Sequence, residues 1–157
     1  MSEPSDREQL EARRAFAAGR HKARHYAMQA LYQWALSGNS PGDIDRQFRE
    51  DFDFSGTDVE YFKAIVHGVP ACASDIDDLF APFLDIELGK LGPVERAVLR
   101  IGTWELRERL DVPWRVVLDE AVTLTRKFGA TDSHRFVNAV LDRVARELRA
   151  VEIRGGR

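Results

Sequence analysis

Charge chemistry is concentrated near the start of this chain. Arg20, His21, Lys22 and Arg24 lie within RHKARH, with Arg13 and Arg14 a little before them. No acid interrupts the stretch from Arg13 to His25. Lys and Arg attract phosphates, and each phosphate neutralised releases counterions. Arg20 and Arg24 are four apart and share a helix face, with His21 and His25 one step round. Cations at a helix N-terminus oppose the macrodipole, a small cost that a binding role explains. The alternative is a solvated helix end, and charge alone does not choose between them. The whole chain has a net charge of -3, so the patch stands on an otherwise acidic protein. That suits holding a polyanion at one place rather than coating the surface.

A second stretch, DSHRF at Asp132 to Phe136, holds the residue types of a hydrolytic triad. They are consecutive, so their side chains diverge and cannot act as nucleophile, base and orienter. Asp132 reads as the N-cap of the last helix, worth on the order of 1 kcal/mol. Phe136 is either core or, at a rim, a stacking face for an unpaired base. The acids Asp75, Asp77 and Asp78 lack the glycine turn and bidentate glutamate of a calcium loop and read as a solvated helix face. His21, His25, His67 and His134 have no spacing that makes a zinc site with Cys72. No glycine loop cradles phosphate. No enzyme, metal or cofactor is therefore expected.

These residues must be positioned by helices. Apolar spacings of three and four recur, and no stretch alternates with period two. A flexible lead-in is expected to end at Gly19, and the first firm helix to run from about Lys22 to Ser37, where Gly38-Asn39 stops it. A short helix follows Pro41-Gly42. Thr57-Asp58-Val59-Glu60 reads as a capping box opening a long helix, with Pro70 kinking it near Gly68. Pro93 starts the next helix, which reaches about Arg109. Further helices are expected over about Arg115 to Phe128 and from Asp132 to about Leu148, with a disordered tail over 151–157. Trp114, beside Pro113, is expected to be partly exposed. A chain of 157 residues suits one domain that buries roughly 70% of its unfolded surface without metal or disulfide. The single Cys72 points to a reducing, cytoplasmic setting, and no apolar run is long enough to span a membrane.

Five segments in order resemble the NusB transcription antitermination family: RHKARHYAMQALYQW, DVEYFKAIVHGV, LGPVERAVLRIGTWEL, VPWRVVLDEAVTLTRKFG and DSHRFVNAVLDRVA. The resemblance covers about residues 20–148. It implies an all-α fold of two small helical bundles packed side by side, over about 20–82 and 90–150. It implies a protein that, with the ribosomal small-subunit protein NusE, binds single-stranded boxA RNA in nascent transcripts, notably of ribosomal RNA operons. The pair joins an RNA polymerase antitermination complex that reads through terminators. Arg20, Lys22 and Arg24 match the family's arginine-rich start, with His21 where many members are basic. Asp132 and Phe136 match positions near its RNA surface, and Tyr32 and Glu95 positions facing NusE. Some members form homodimers, which leaves the oligomeric state open. Two rival readings remain: a protein-only adaptor whose patch meets an acidic partner, and a detached targeting module of the kind found ahead of some RNA cytosine methyltransferase domains.

Overall fold

The computed structural model describes residues 2–156. Its regular elements are all helical. They are α1 (Asp6–Ser37), α2 (Pro41–Asp51), α3 (Val59–Ala71), α4 (Ala73–Phe80), α5 (Pro93–Glu108), α6 (Trp114–Phe128), α7 (Ser133–Leu148) and α8 (Ala150–Arg154). Short 3-10 turns at Ala81–Phe83 and Leu88–Lys90 link α4 to α5. None of the described helices is long and apolar enough to cross a membrane.

The fold is two helical bundles side by side. In one, α1 packs on α2 and α3. In the other, α5, α6 and α7 pack on one another. The first half of the chain joins the second where α1, α3 and α4 meet α5. One continuous core results, with Phe62, Ile65, Val69, Leu99, Leu106 and Leu141 fully buried in it. Helices that are each apolar on one stripe can bury it only against one another.

The helix starts and stops follow local chemistry, with four departures from the sequence reading. First, α1 does not begin near Lys22. Ser5 caps it, accepting from the Glu8 amide at 3.2 Å, and the helix runs unbroken through Gly19. Ser5-Asp6-Arg7-Glu8 has the spacing of a capping box, which marks the true start of the helix upstream of Gly19. Gly19 is instead a point of close approach. A Cβ there would lie 3.4 Å from the Asp58 amide nitrogen and the Gly56 carbonyl oxygen. The Gly19 carbonyl accepts from Asp58 N at 3.0 Å, which pins the loop before α3. Gly38, at φ 72, does end the helix.

Second, the start of α3 is capped by Asp58, which accepts from Tyr61 N at 3.0 Å. Thr57 is not the cap, and its hydroxyl is buried without a partner. Third, α3 runs through Pro70 to Ala71 with no kink at Gly68, and the break falls at Cys72, whose φ of -134 separates α3 from α4. Proline removes only the amide that would bond the Val66 carbonyl, one turn back. Fourth, the expected disordered tail is helical as far as Arg154, while Arg157 lies outside the described residues. In α8, Glu152 accepts from the backbone amide of Trp114 at 3.0 Å and so serves as the cap of α6.

Two burial expectations also change. Trp114 is buried rather than partly exposed. Asp77 is not a solvated acid: it is buried and accepts from Arg100 through both carboxylate oxygens, at 2.8 and 2.9 Å.

Candidate nucleic-acid interface

The cationic stretch of α1 divides into an inner and an outer face. Arg24 is on the inner face and only 3% exposed. It donates to both oxygens of Glu105 on α5, at 2.8 to 3.1 Å. Burial pulls the Arg24 pKa down, but the Glu105 carboxylate outweighs it, so the guanidinium stays charged. Tyr61 of α3 also donates to Glu105. Burial first, then the Glu105 charge, raises the phenol well above its ordinary range. Around the Tyr61 ring lie the guanidinium groups of Arg20, Arg109 and Arg24, 3.9, 4.6 and 5.3 Å from its centroid. Arg20 pairs with Asp58 at 2.9 Å, its side chain 14% exposed. The two arginines placed on one face by their spacing therefore do share a face, but it looks inward. Arg24 bolts α1 to α5, and Arg20 holds the cap of α3.

The outer face carries the remaining charge. Lys22 is exposed, its ammonium 3.4 Å from the Ser55 carbonyl. His21 is partly exposed and bonds Glu120 of α6 at 2.8 Å. His25 packs edge-on against Phe128, ring centroids 4.9 Å apart. The Lys127 ammonium lies 3.5 Å from His25 Nδ1. Burial, then Lys127 and His21, lower the pKa of His25, so it is neutral at neutral pH and can accept from that lysine. His25 and Lys127 were not among the expected site residues. Their pairing joins α1 to the end of α6, and only the packing of those helices brings it about.

Asp132 does not cap α7. It sits in the left-handed region at φ 65 with no capping hydrogen bond, and its side chain is exposed. The turn is organised instead by Glu95, buried at the start of α5. Its Oε2 accepts from Ala130 N at 3.0 Å and the Ser133 hydroxyl at 2.8 Å. Gly129 makes room for this carboxylate, since a Cβ there would lie 2.6 Å from Oε2. Glu95, expected at a partner surface, thus acts within this chain as a bracket for the loop. Phe136 is half-buried against the core, neither free nor fully enclosed. Tyr32 lines an open apolar groove of about 860 Å³ between α1 and α2, walled by Met28, Phe48, Phe52, Val94 and Phe128. Its Phe52 wall packs against Tyr26, ring centroids 5.5 Å apart, and Tyr26 stacks in turn on Phe54 at 4.6 Å.

Carboxyl and imidazole groups tie this region to pH. Burial works against ionising Asp58, but the Arg20 guanidinium and the Tyr61 amide outweigh it and hold the carboxyl below its ordinary value. A carboxyl depressed by folding stabilises above its unfolded pKa and loses that contribution as pH falls through the folded value. His25, depressed below 6.5, has the same sign, because the unfolded chain takes up its proton first. Chemical denaturation across pH should show stability falling steadily from about pH 6.5 to 3. Asp58→Asn should flatten the acid part of that slope. A stability maximum near pH 5 would contradict the assignment.

A cationic outer face, an apolar groove and an all-helical core define a small helical binding protein. Among the described residues, no group of His, Cys, Asp and Glu could hold a metal ion. Comparison with known proteins places it further. Residues 21–146 match the NusB family, and the chain belongs to that family. It is 51% identical over 141 residues to the transcription antitermination protein NusB of Pseudomonas putida, covering 90% of this chain and 85% of that one. It is 52% identical over 138 residues to NusB of Saccharophagus degradans, covering 87% and 92%. Among solved structures, T. maritima NusB superposes with a TM-score of 0.72 at 31% identity, over 81% of this chain and 90% of that one. A crystal structure of NusB and NusE in complex with dsRNA superposes with a TM-score of 0.71 at 29% identity, over 81% and 96%.

Proposed function

We propose that this chain is the RNA-binding partner of a two-protein antitermination factor. With NusE it binds boxA RNA in nascent transcripts, notably of ribosomal RNA operons. Within an RNA polymerase complex, the pair promotes read-through of terminators. The observation that carries this reading is the outer face of α1 with the adjoining end of α6, where Lys22 and Lys127 stay at the surface beside the imidazoles of His21 and His25, while Arg20 and Arg24 are paired with Asp58 and Glu105. A chain with net charge -3 keeps this cation-rich side, in a fold that NusB shares when bound to NusE and RNA.

In this reading the expected site residues act in different ways. His21 and Lys22 touch RNA. Arg20 and Arg24 work mainly by holding α1 in place. Phe136 offers its open edge to a base. The exposed Asp132 sets a negative limit on the path. Tyr32 and the groove beside it receive NusE, with Glu95 shaping the loop at its edge. One weak cationic face binds RNA modestly alone. A partner that adds contacts to the same strand raises affinity many-fold. The role is one of binding, and no step of chemistry is assigned to the chain.

The test is fluorescence anisotropy of a labelled boxA RNA, with a scrambled strand and a duplex as controls, with and without NusE. Binding should prefer the single-stranded boxA and tighten with NusE. If about four cations meet phosphates, log affinity should fall with log salt at a slope near about -3. Lys22→Ala and Lys127→Ala should each weaken binding, and Asp132→Asn should strengthen it at low salt. Equal weak binding to all three RNAs, indifferent to NusE, would favour a protein-only adaptor.

A further inference from the structure

Beyond Gly19, α1 leaves the body of the protein. Its residues from Asp6 to Ala18 are all exposed, yet helical. An isolated helix this short would be marginal, because nucleation costs more than the first turns return. Here the helix only propagates outward from a packed half, and Ser5 closes its far end. The extension is therefore an arm that is already ordered.

Its charge is not spread evenly. At about 100° per residue, Arg14, His21 and His25 fall on one stripe, separated by seven and four positions. Lys127 continues that stripe onto α6. Arg7 lies on it too but pairs with Glu11 at 3.2 Å. The acid nearest its middle, Glu120, is already held by His21 and by Arg24 at 3.9 Å. Arg14 is exposed and takes part in no ion pair among the described residues. Arg13 points about 100° away. Of the arm's exposed bulky apolar residues, Phe16 is on the other side, beneath the Arg20 guanidinium at 4.6 Å, and Leu10 lies about 40° round from Arg14. The stripe is thus a row of cationic and imidazole groups with its acids neutralised, in line with the outer face described above.

We propose that this arm lengthens the RNA path, with Arg14 as a phosphate contact beyond His21. The inference rests on the RNA reading and adds to it the length and direction of the track. Seven residues of helix span about 10 Å. That is room for about three further nucleotides at roughly 3.4 Å per stacked step. A strand is favoured over a protein partner because the stripe is linear, its cations Arg14 and Lys127 are separated only by imidazoles, and the arm's exposed apolar side chains, Leu10 and Phe16, lie about 120° apart and form no row.

The experiment uses the full chain with NusE and two RNAs. One is a boxA strand of about twelve nucleotides. The other carries about four more at each end. With the wild-type chain, the longer RNA should bind more tightly. Arg14→Ala should remove about threefold of that affinity and flatten the salt slope by about 0.7. It should leave the short RNA unaffected. Arg14→Lys should restore binding, and Arg13→Ala, on another face, should retain it. Helicity by circular dichroism would establish that the arm is intact in each variant. If Arg14→Ala leaves both RNAs unchanged, or weakens both equally, the extended track is refuted while the RNA reading stands. If the short RNA fails to bind the wild-type complex, the RNA reading itself falls, and the track with it.

Discussion

Arg24→Ala should destabilise the protein by about 3–5 kcal/mol, the cost of leaving a buried charge without its partner. For a chain of this size that corresponds to a fall in Tm of roughly 10 °C or more. The stranded group is Glu105, 1% exposed and left with only the Tyr61 hydroxyl to hold its charge. Thermal or urea unfolding measures the effect. The double variant Arg24→Met, Glu105→Leu removes both charges and fills similar volume, so it should recover most of the stability. The recovered protein separates two explanations of any loss in RNA binding. If Arg24 serves the fold, the double variant binds RNA nearly as well as wild type. If it binds RNA at the wild-type stability but many-fold more weakly, Arg24 touches the RNA and the inward placement is not the whole of its role.

The second large effect is expected at Arg149→Met, again about 3–5 kcal/mol. Arg149 is the residue between α7 and α8 and is 3% exposed. Its guanidinium donates to the carbonyls of Leu106, Val112 and Arg109 at 2.8 to 2.9 Å, and to that of Glu105 at 3.3 Å. The carbonyls of Leu106 and Val112 are ones that the end of α5 and the following turn leave without a backbone partner, while those of Glu105 and Arg109 also accept from the Arg109 and Val112 amides, each at 2.9 Å. A positive charge there also meets the negative end of the α5 macrodipole. Methionine keeps much of the stem but none of the donors, so the Leu106 and Val112 carbonyls lose their partner in a buried setting and those of Glu105 and Arg109 keep only their backbone amides. Arg149→Lys should rescue only in part, because a compact ammonium cannot reach four carbonyls in one plane. Because Arg149 also pairs with Glu152, which caps α6, hydrogen exchange should rise at the start of α6 as well as at the end of α5. Exchange confined to α8 would mean the residue only anchors the tail.

Much of the architecture was legible from local pattern. The α2, α5 and α6 boundaries follow from Pro41, Pro93, Pro113 and Gly129, since proline suits a first turn and glycine a stop. The apolar stripe of α7 matches its buried side, Val137, Val140, Leu141 and Val144. Gly19 and Asp132 depart from the local pattern for one reason: each residue type has two uses, and a neighbour distant in sequence decides between them. Gly19 admits the loop at Asp58, and the turn at Asp132 is held by Glu95. At Thr57 the choice is local, since the adjacent Asp58 takes the capping role.

The same division runs through the candidate site. The sequence by itself determined that the chain is helical, that it belongs among NusB-like proteins, and that cations gather near the start of α1. Composition, periodicity and motif order are local or cumulative properties, and no partner is needed to express them. Only the tertiary structure decided which of those cations reach solvent. Spacing puts Arg20 and Arg24 on one face but cannot say whether a carboxylate waits opposite. Glu105 lies 81 positions from Arg24, and its position is set by the packing of α5 on α1. Burial and ion pairing are properties of pairs, and a sequence read in order lists the members without joining them.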